Sequence, residues 1–179
     1  MQALEAVAWS GRPPQLGAMI ETPAAAARTP EIATVADFLS IGTNDLVQYT
    51  LGLDRELPVA STLAAADPRV LGHVAEIVDA AHAAGLQVEV CGEAAGEPEV
   101  AALLIGIGAD ELSASPARLD RIRATIRSIS SADAHTAAIA ARSAASAPAA
   151  LEVARELLGS GQPSDELGKA LDGLGSVLA

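Results

Sequence analysis

Short apolar runs alternate along this chain with segments of helical periodicity. Four of the runs are predicted to form strands: Leu16 to Ile20, Phe38 to Ile41, Gln87 to Val90 and Glu111 to Ala114. After each run, apolar residues recur at the three- and four-residue spacing of a helix that covers a sheet. Repeated βα units of this kind predict an α/β fold with a parallel sheet.

The clearest helix signal follows Asp67-Pro68, an N-cap residue with a proline at the first helical position. Apolar residues then recur at helical spacing until Gly85, where the helix is expected to end. The other predicted helices follow the strands: one runs from Pro23 to Val35, and the rest begin near Asp45, Pro98 and Pro116.

The composition changes after Ser130 to a stretch rich in alanine and serine without a strand signal. Helices are predicted at about Ala132 to Ala145, at Pro148 to Leu158, and after Ser164. We therefore divide the chain into a βα domain of residues 1–130 and a helical tail of residues 131–179. The tail is expected to cover the flank of the domain or to make a dimer contact.

Charge and composition exclude several classes of function. The net charge is −12 and Lys169 is the single lysine, whereas nucleic-acid binding depends on clustered Lys and Arg. The one cysteine cannot form an internal disulfide, and no signal-peptide pattern opens the sequence, so we expect a cytoplasmic protein. No apolar run reaches the roughly 20 residues that span a bilayer, so no membrane insertion is expected.

Four βα units are few for a complete fold. A closed (βα)8 barrel needs about 250 residues, and an open four-stranded sheet leaves two edges unpaired. The opening segment from Ala3 to Trp9 has the pattern of the last turns of a helix. We therefore expect the second half of a larger unit, completed by upstream residues, by a second copy, or not at all.

Carboxylates end two neighbouring strands of the predicted sheet. Glu21 follows the first strand, and Asp45 follows the second. Mg²⁺ takes one or two carboxylates and fills its other positions with water and substrate oxygens, so the pair suits this ion. The alternative is that Asp45 only caps the helix that follows it.

Three further residues are candidates for chemistry at the same edge. Asn44 can donate from its amide to a phosphate or carboxylate oxygen, and Arg55 can add a bidentate clamp, unless it only pairs with Asp54 on the surface. Cys91 closely follows the third predicted strand, where a thiol can act as a nucleophile or a general acid. The alternative for Cys91 is a buried, inert cysteine.

Five segments taken together closely resemble the C-terminal domain of Enzyme I of the bacterial phosphoenolpyruvate:sugar phosphotransferase system. The resemblance runs from about Leu16 to Ile129 and continues more faintly to Leu158. Pyruvate phosphate dikinase and phosphoenolpyruvate synthase share the same plan. The segments are Gly17 to Ala25, Ser40 to Tyr49, Asp54-Arg55, Cys91 to Glu93 and Leu112 to Ser115.

The resemblance implies the C-terminal half of a (βα)8 TIM barrel that binds phosphoenolpyruvate (PEP). Glu21 and Asp45 would then hold Mg²⁺, and Asn44 and Arg55 would bind PEP. Cys91 would protonate the enolpyruvate carbon. The phosphoryl group would pass to a histidine on another domain or protein, and pyruvate would leave.

Two parts of the family plan are missing from this sequence: the phosphohistidine domain and the first half of the barrel. The chain is therefore not expected to run the family reaction alone. One alternative function is a non-catalytic interaction module that keeps the fold and forms a homodimer. Another is a metal-dependent lyase or aldolase on a related barrel, which would use the same carboxylates without Cys91.

Overall fold

The computed structural model describes residues 11, 14–53 and 62–159. Arg55, the segment from Ala3 to Trp9 and the helix predicted after Ser164 lie outside these residues. The strands are β1 (Gly17–Ile20), β2 (Phe38–Gly42), β3 (Val88–Cys91) and β4 (Glu111–Leu112). The helices are α1 (Pro23–Ala27), α2 (Thr29–Ile32), α3 (Thr43–Leu51), α4 (Pro68–Ala83), α5 (Pro98–Ile107), α6 (Pro116–Ser128), α7 (Ser131–Arg142) and α8 (Ala147–Leu157), with a 3₁₀ turn at Glu93–Gly96.

The four strands form one parallel sheet in the order β1-β2-β3-β4. This confirms the predicted α/β architecture and its four βα units. Several strand boundaries differ from the prediction: β1 begins one residue later, β2 ends one residue later, β3 is shifted by one residue at both ends, and β4 has two residues where four were expected. Cys91 therefore lies inside the sheet ladder, in register with Gly42, and not after the strand as predicted.

One face of the sheet is packed under helices. Ile41 of β2 and Val90 of β3 are completely buried there, and α4 contacts both strands. Side chains alternate between the two faces of a strand, so the opposite face carries Met19, Ser40 and Glu89. Met19 is 55% exposed. The sheet therefore has one covered face and one face that presents side chains outside the core.

The prediction of one helix from Pro23 to Val35 is wrong, because the segment forms α1 and α2 with a break at Arg28. Pro30 has no N–H group and cannot donate to the carbonyl of Ala26, as a residue in a continuous helix would. The Thr29 hydroxyl donates to that carbonyl instead, at 2.8 Å. A side chain thus replaces the backbone hydrogen bond, and the chain turns at this point.

Asp67 caps α4 as predicted. Its Oδ1 accepts hydrogen bonds from the backbone N–H and the Nε of Arg69, both at 2.9 Å, and its Oδ2 accepts from Nη2 at 3.0 Å. Asp67 is 4% exposed. The hydrogen bonds that its carboxylate accepts raise the pKa of Arg69 above the usual value. Asp67 therefore stabilises the start of α4.

The described part of the tail packs against α5. A Cβ on Gly106 would lie 2.6 Å from the carbonyl carbon of Ala134, so α5 and α7 approach closely where no side chain intervenes. Leu151 of α8 is completely buried in the same core. None of the described helices has the length and hydropathy needed to cross a bilayer. The boundary at residue 130 stays a prediction.

Asp110 joins two elements at the amino edge of the sheet. Its Oδ2 accepts a hydrogen bond from the backbone N–H of Val88 at 2.8 Å and lies 2.9 Å from Nε2 of His82 on α4. Burial raises the pKa of Asp110, but the hydrogen bonds from His82 and Val88 together lower it by more. The carboxylate is thus held ionised, away from the candidate residues at the opposite edge.

Candidate functional site

The carboxyl edge of the sheet brings the candidate residues of three strands together. Glu21 follows β1 directly, and Cys91 is the last residue of β3. Helix α3 begins at Thr43 rather than near Asp45, so Asn44 and Asp45 lie in its first turn. Parallel strands all end at one edge, which is why residues far apart in sequence meet here.

Glu21 approaches the end of β2 because Gly42 has no side chain. A Cβ at position 42 would lie 2.9 Å from Glu21 Oε2 and 3.0 Å from Glu21 Cβ. The Glu21 carboxylate therefore rests against the backbone that enters α3, three residues before Asp45. Both carboxylates lie at the start of the same helix.

The start of α3 is also tied to the end of β3. Thr43 is 1% exposed, and its hydroxyl donates to the carbonyl of Cys91 at 2.8 Å. The backbone N–H of Glu93 donates to Asn44 Oδ1 at 3.4 Å. Because Oδ1 accepts this bond, the Asn44 amide has its NH₂ group left to donate elsewhere.

Position 92, between these two elements, requires a glycine for two reasons. Its φ of +110° is one that residues with a side chain rarely adopt. A Cβ at this position would also lie 3.0 Å from Asn44 Oδ1 and collide with the Thr43 hydroxyl. The glycine therefore sets how closely α3 approaches β3.

The Cys91 thiol is partly exposed at this edge. Its Sγ accepts a hydrogen bond from the Ser40 hydroxyl at 3.5 Å, and it can donate to the carbonyl of Ile41, also at 3.5 Å. The alternative of a buried, inert cysteine requires Cys91 to be enclosed in the apolar core. The partial exposure of Cys91 does not fit that alternative.

A cavity of about 510 Å³ opens beside these residues. Arg118, which lines this cavity, was not predicted to be a functional residue, and neither was Ser40. The available signal for Arg118 was its position in the first turn after Ser115-Pro116, close to the end of β4. The lining residues are Asn44, Gly92, Glu93, Gly96, Ser113, Ala114, Ser115 and Arg118.

The donor set at this edge fits Mg²⁺ better than a metal that needs many protein ligands. Within the described ranges, no group of three or more His, Cys, Asp or Glu residues is arranged to hold a metal ion. Mg²⁺ needs only one or two carboxylates, with water and substrate oxygens in its other positions. Glu21 and Asp45 offer two. Arg55, which was predicted to bind PEP and not the ion, lies outside the described residues.

The sequence of this chain is similar to a known protein family and to several named proteins. Residues 2–131 match the model of the PEP-utilising enzyme, PEP-binding domain. A phosphoenolpyruvate-protein phosphotransferase of Haemophilus influenzae is 42% identical over 140 residues, which are 78% of this chain and 24% of that protein. The protein of the same name from Streptomyces coelicolor is 42% identical over 145 residues, 80% of this chain and 26% of the relative.

A multiphosphoryl transfer protein of Xanthomonas campestris is 44% identical over 113 residues, 63% of this chain and 14% of that protein. The chain thus spans about a quarter or less of the length of these relatives. The family match covers every strand of the sheet and the whole carboxyl edge described above. The chain therefore belongs to the PEP-binding domain family of PEP-utilising enzymes.

Proposed function

We propose that the carboxyl edge forms the PEP and Mg²⁺ site of a phosphoenolpyruvate-protein phosphotransferase of the Enzyme I type. The observation that carries the proposal is the meeting of Glu21, Asn44, Asp45 and Cys91 at three consecutive parallel strand ends, linked by the bond from Thr43 to the Cys91 carbonyl. The family match over residues 2–131 and the names of the relatives support the reaction class.

Each residue has a role that its chemistry suits. Glu21 and Asp45 hold Mg²⁺, which offsets negative charge on the phosphoryl oxygens when it is bound. The Asn44 NH₂ group donates to an anionic oxygen of PEP, because its Oδ1 is occupied by Glu93 N–H. Arg55 adds a bidentate contact to PEP.

In the reaction, the bond between phosphorus and the enol oxygen breaks as phosphorus bonds to a histidine nitrogen of another domain or protein. The enolpyruvate that remains takes the proton of the Cys91 thiol on its C3 carbon and leaves as pyruvate. The thiolate then regains a proton from water. Ser40 donates to Sγ and so stabilises the sulfur while it carries the negative charge.

We also propose that the sheet is the C-terminal half of a (βα)8 barrel. In such a barrel both faces of the sheet are covered, one by helices and one by the other strands. The exposed Met19 on the face opposite the helices supports this arrangement.

The same face favours a second candidate function, a dimerising interaction module. A dimer by sedimentation that fails to bind PEP would support the second candidate instead.

Alkylation of Cys91 tests the proposed function, because the chain has one cysteine and every label reports on this edge. PEP with Mg²⁺ is expected to slow labelling by iodoacetamide severalfold, since the ligand covers the thiol. Mass spectrometry at timed intervals measures the labelled fraction. PEP with EDTA and Mg²⁺ with glycerol serve as controls. Equal labelling rates with and without PEP and Mg²⁺ would count against the proposal.

A further inference from the structure

Arg118 brings a positive charge to the cavity beside the candidate site. It lies in the first turn of α6, and its side chain is 45% exposed. Among the described residues that line this cavity, Arg118 is the one basic side chain and Glu93 is the one acidic side chain. In a chain with a net charge of −12, this guanidinium offsets part of the repulsion that an anion meets.

The neighbouring turn holds Arg118 in place. Its Nη1 donates to the carbonyl of Gly96 at 3.3 Å and to the carboxylate of Glu97. A Cβ at position 96 would lie 2.6 Å from Arg118 Cδ, so the aliphatic part of the side chain rests directly on Gly96. The guanidinium therefore stays at the cavity without a bound ligand.

Much of the hydrogen-bonding capacity of Arg118 is unused. Within the part of the chain that the structure describes, its hydrogen bonds all come from Nη1, and Nε and Nη2 have no partner. A guanidinium has five N–H donors in a planar fork that matches the oxygens of a carboxylate or a phosphoryl group. Arg118 can thus bind an anion while it keeps its bonds to Gly96 and Glu97.

We propose that Arg118 binds an anionic oxygen of the ligand in this cavity, and that Glu97 positions the guanidinium and competes for its charge. The ligand chemistry is a carboxylate or a phosphoryl oxygen, both of which PEP carries. The inference rests on the proposed function and adds a ligand-binding residue to it. It also makes opposite predictions for the two partners of one ion pair.

Titration calorimetry of the full chain with PEP and Mg²⁺ tests the proposal. Arg118→Gln is expected to weaken PEP binding about tenfold, since a hydrogen bond to a charged group is lost. Its affinity should also depend less on salt than that of the unchanged protein. Glu97→Gln is expected to tighten binding about threefold, because it removes the competing charge while the glutamine oxygen can still accept the hydrogen bond from Nη1. Glu97 makes no capping bond from its side chain to α5, so the helix loses none.

Arg123→Gln is the matched control. Arg123 lies on the same helix, pairs with Asp120 at 3.8 Å and is absent from the cavity lining. Its replacement changes the net charge equally and should leave PEP affinity within about twofold. Titrations with pyruvate and with inorganic phosphate then show which end of PEP Arg118 binds, because only the matching anion should lose affinity in Arg118→Gln.

The outcomes separate this inference from the proposed function. Equal affinities of Arg118→Gln and Arg123→Gln, with binding lost in Asp45→Ala, would overturn the role of Arg118 and leave the proposed function in place. No binding of PEP, pyruvate or phosphate by the unchanged, folded chain would overturn both. A weaker Arg118→Gln together with a tighter Glu97→Gln would establish the inference.

Discussion

Replacement of Cys91 with serine is expected to lower the exchange of pyruvate methyl protons with solvent by at least about a hundredfold. In the reverse of the proposed protonation, the sulfur removes a proton from C3 of pyruvate and returns a deuteron from heavy water. A serine hydroxyl gives up its proton far less readily than a thiol. The methyl signal of pyruvate in proton NMR, recorded over time with the chain and Mg²⁺, measures the rate.

The chain offers a clear control for this experiment, because Cys91 is its one cysteine. Adding Ser131→Cys to the Cys91→Ser variant restores a thiol at the first residue of α7, which is exposed and does not line the cavity at the carboxyl edge. Exchange should stay lost in this double variant. If the single variant keeps the exchange rate of the unchanged chain, Cys91 has no part in the proton transfer. The lyase or aldolase hypothesis, which uses the carboxylates alone, would then be favoured.

Gly106→Ala is expected to destabilise the protein by about 1–3 kcal/mol. The added methyl group would collide with the backbone carbonyl of Ala134, which cannot move away as a flexible side chain can. It would also lie 3.0 Å from the Cβ of Ala138. Helices α5 and α7 must therefore separate, and buried alanines along their contact lose packing. Urea denaturation followed by circular dichroism measures the change in the free energy of unfolding.

Gly72→Ala is the matched control for this prediction. Gly72 lies within α4, and a Cβ there would meet no atom within 4 Å. Alanine favours a helix interior over glycine by about 1 kcal/mol, so this variant should be more stable than the unchanged protein. Replacement of glycine by alanine is thus expected to lower the free energy of unfolding on α5 and to raise it on α4. A stabilised Gly106→Ala would show that α5 and α7 do not pack as closely as described.

The parallel sheet was predictable because its signals are local. Short apolar runs at regular spacing marked the strands, and Asp67-Pro68 marked the start of α4 through a cap and a proline that need no tertiary context. The residues at the strand ends could also be predicted, since parallel strands end at a common edge. Glu21, Asn44 and Cys91 lie at that edge for this reason.

Other features depend on contacts that no local pattern reveals. The apolar pattern from Pro23 to Val35 continues across Pro30 and therefore favours one helix, whereas the missing N–H of Pro30 breaks it at Arg28. Gly42 and Gly92 matter because side chains from other elements press against them. Arg118 reaches the cavity because α6 packs against α5 and the 3₁₀ turn at Glu93–Gly96. Such contacts require the folded chain.

Asp45 and its neighbours are proposed to bind PEP together with Mg²⁺. Calorimetric titration with PEP, with and without Mg²⁺, tests this binding. The purified unchanged chain and the Asp45→Ala variant are titrated in parallel. We expect saturable binding that needs both the ion and Asp45, with affinity at least about tenfold lower in the variant. Undiminished Mg²⁺-dependent binding by folded Asp45→Ala, or no binding by the unchanged folded chain, would contradict it.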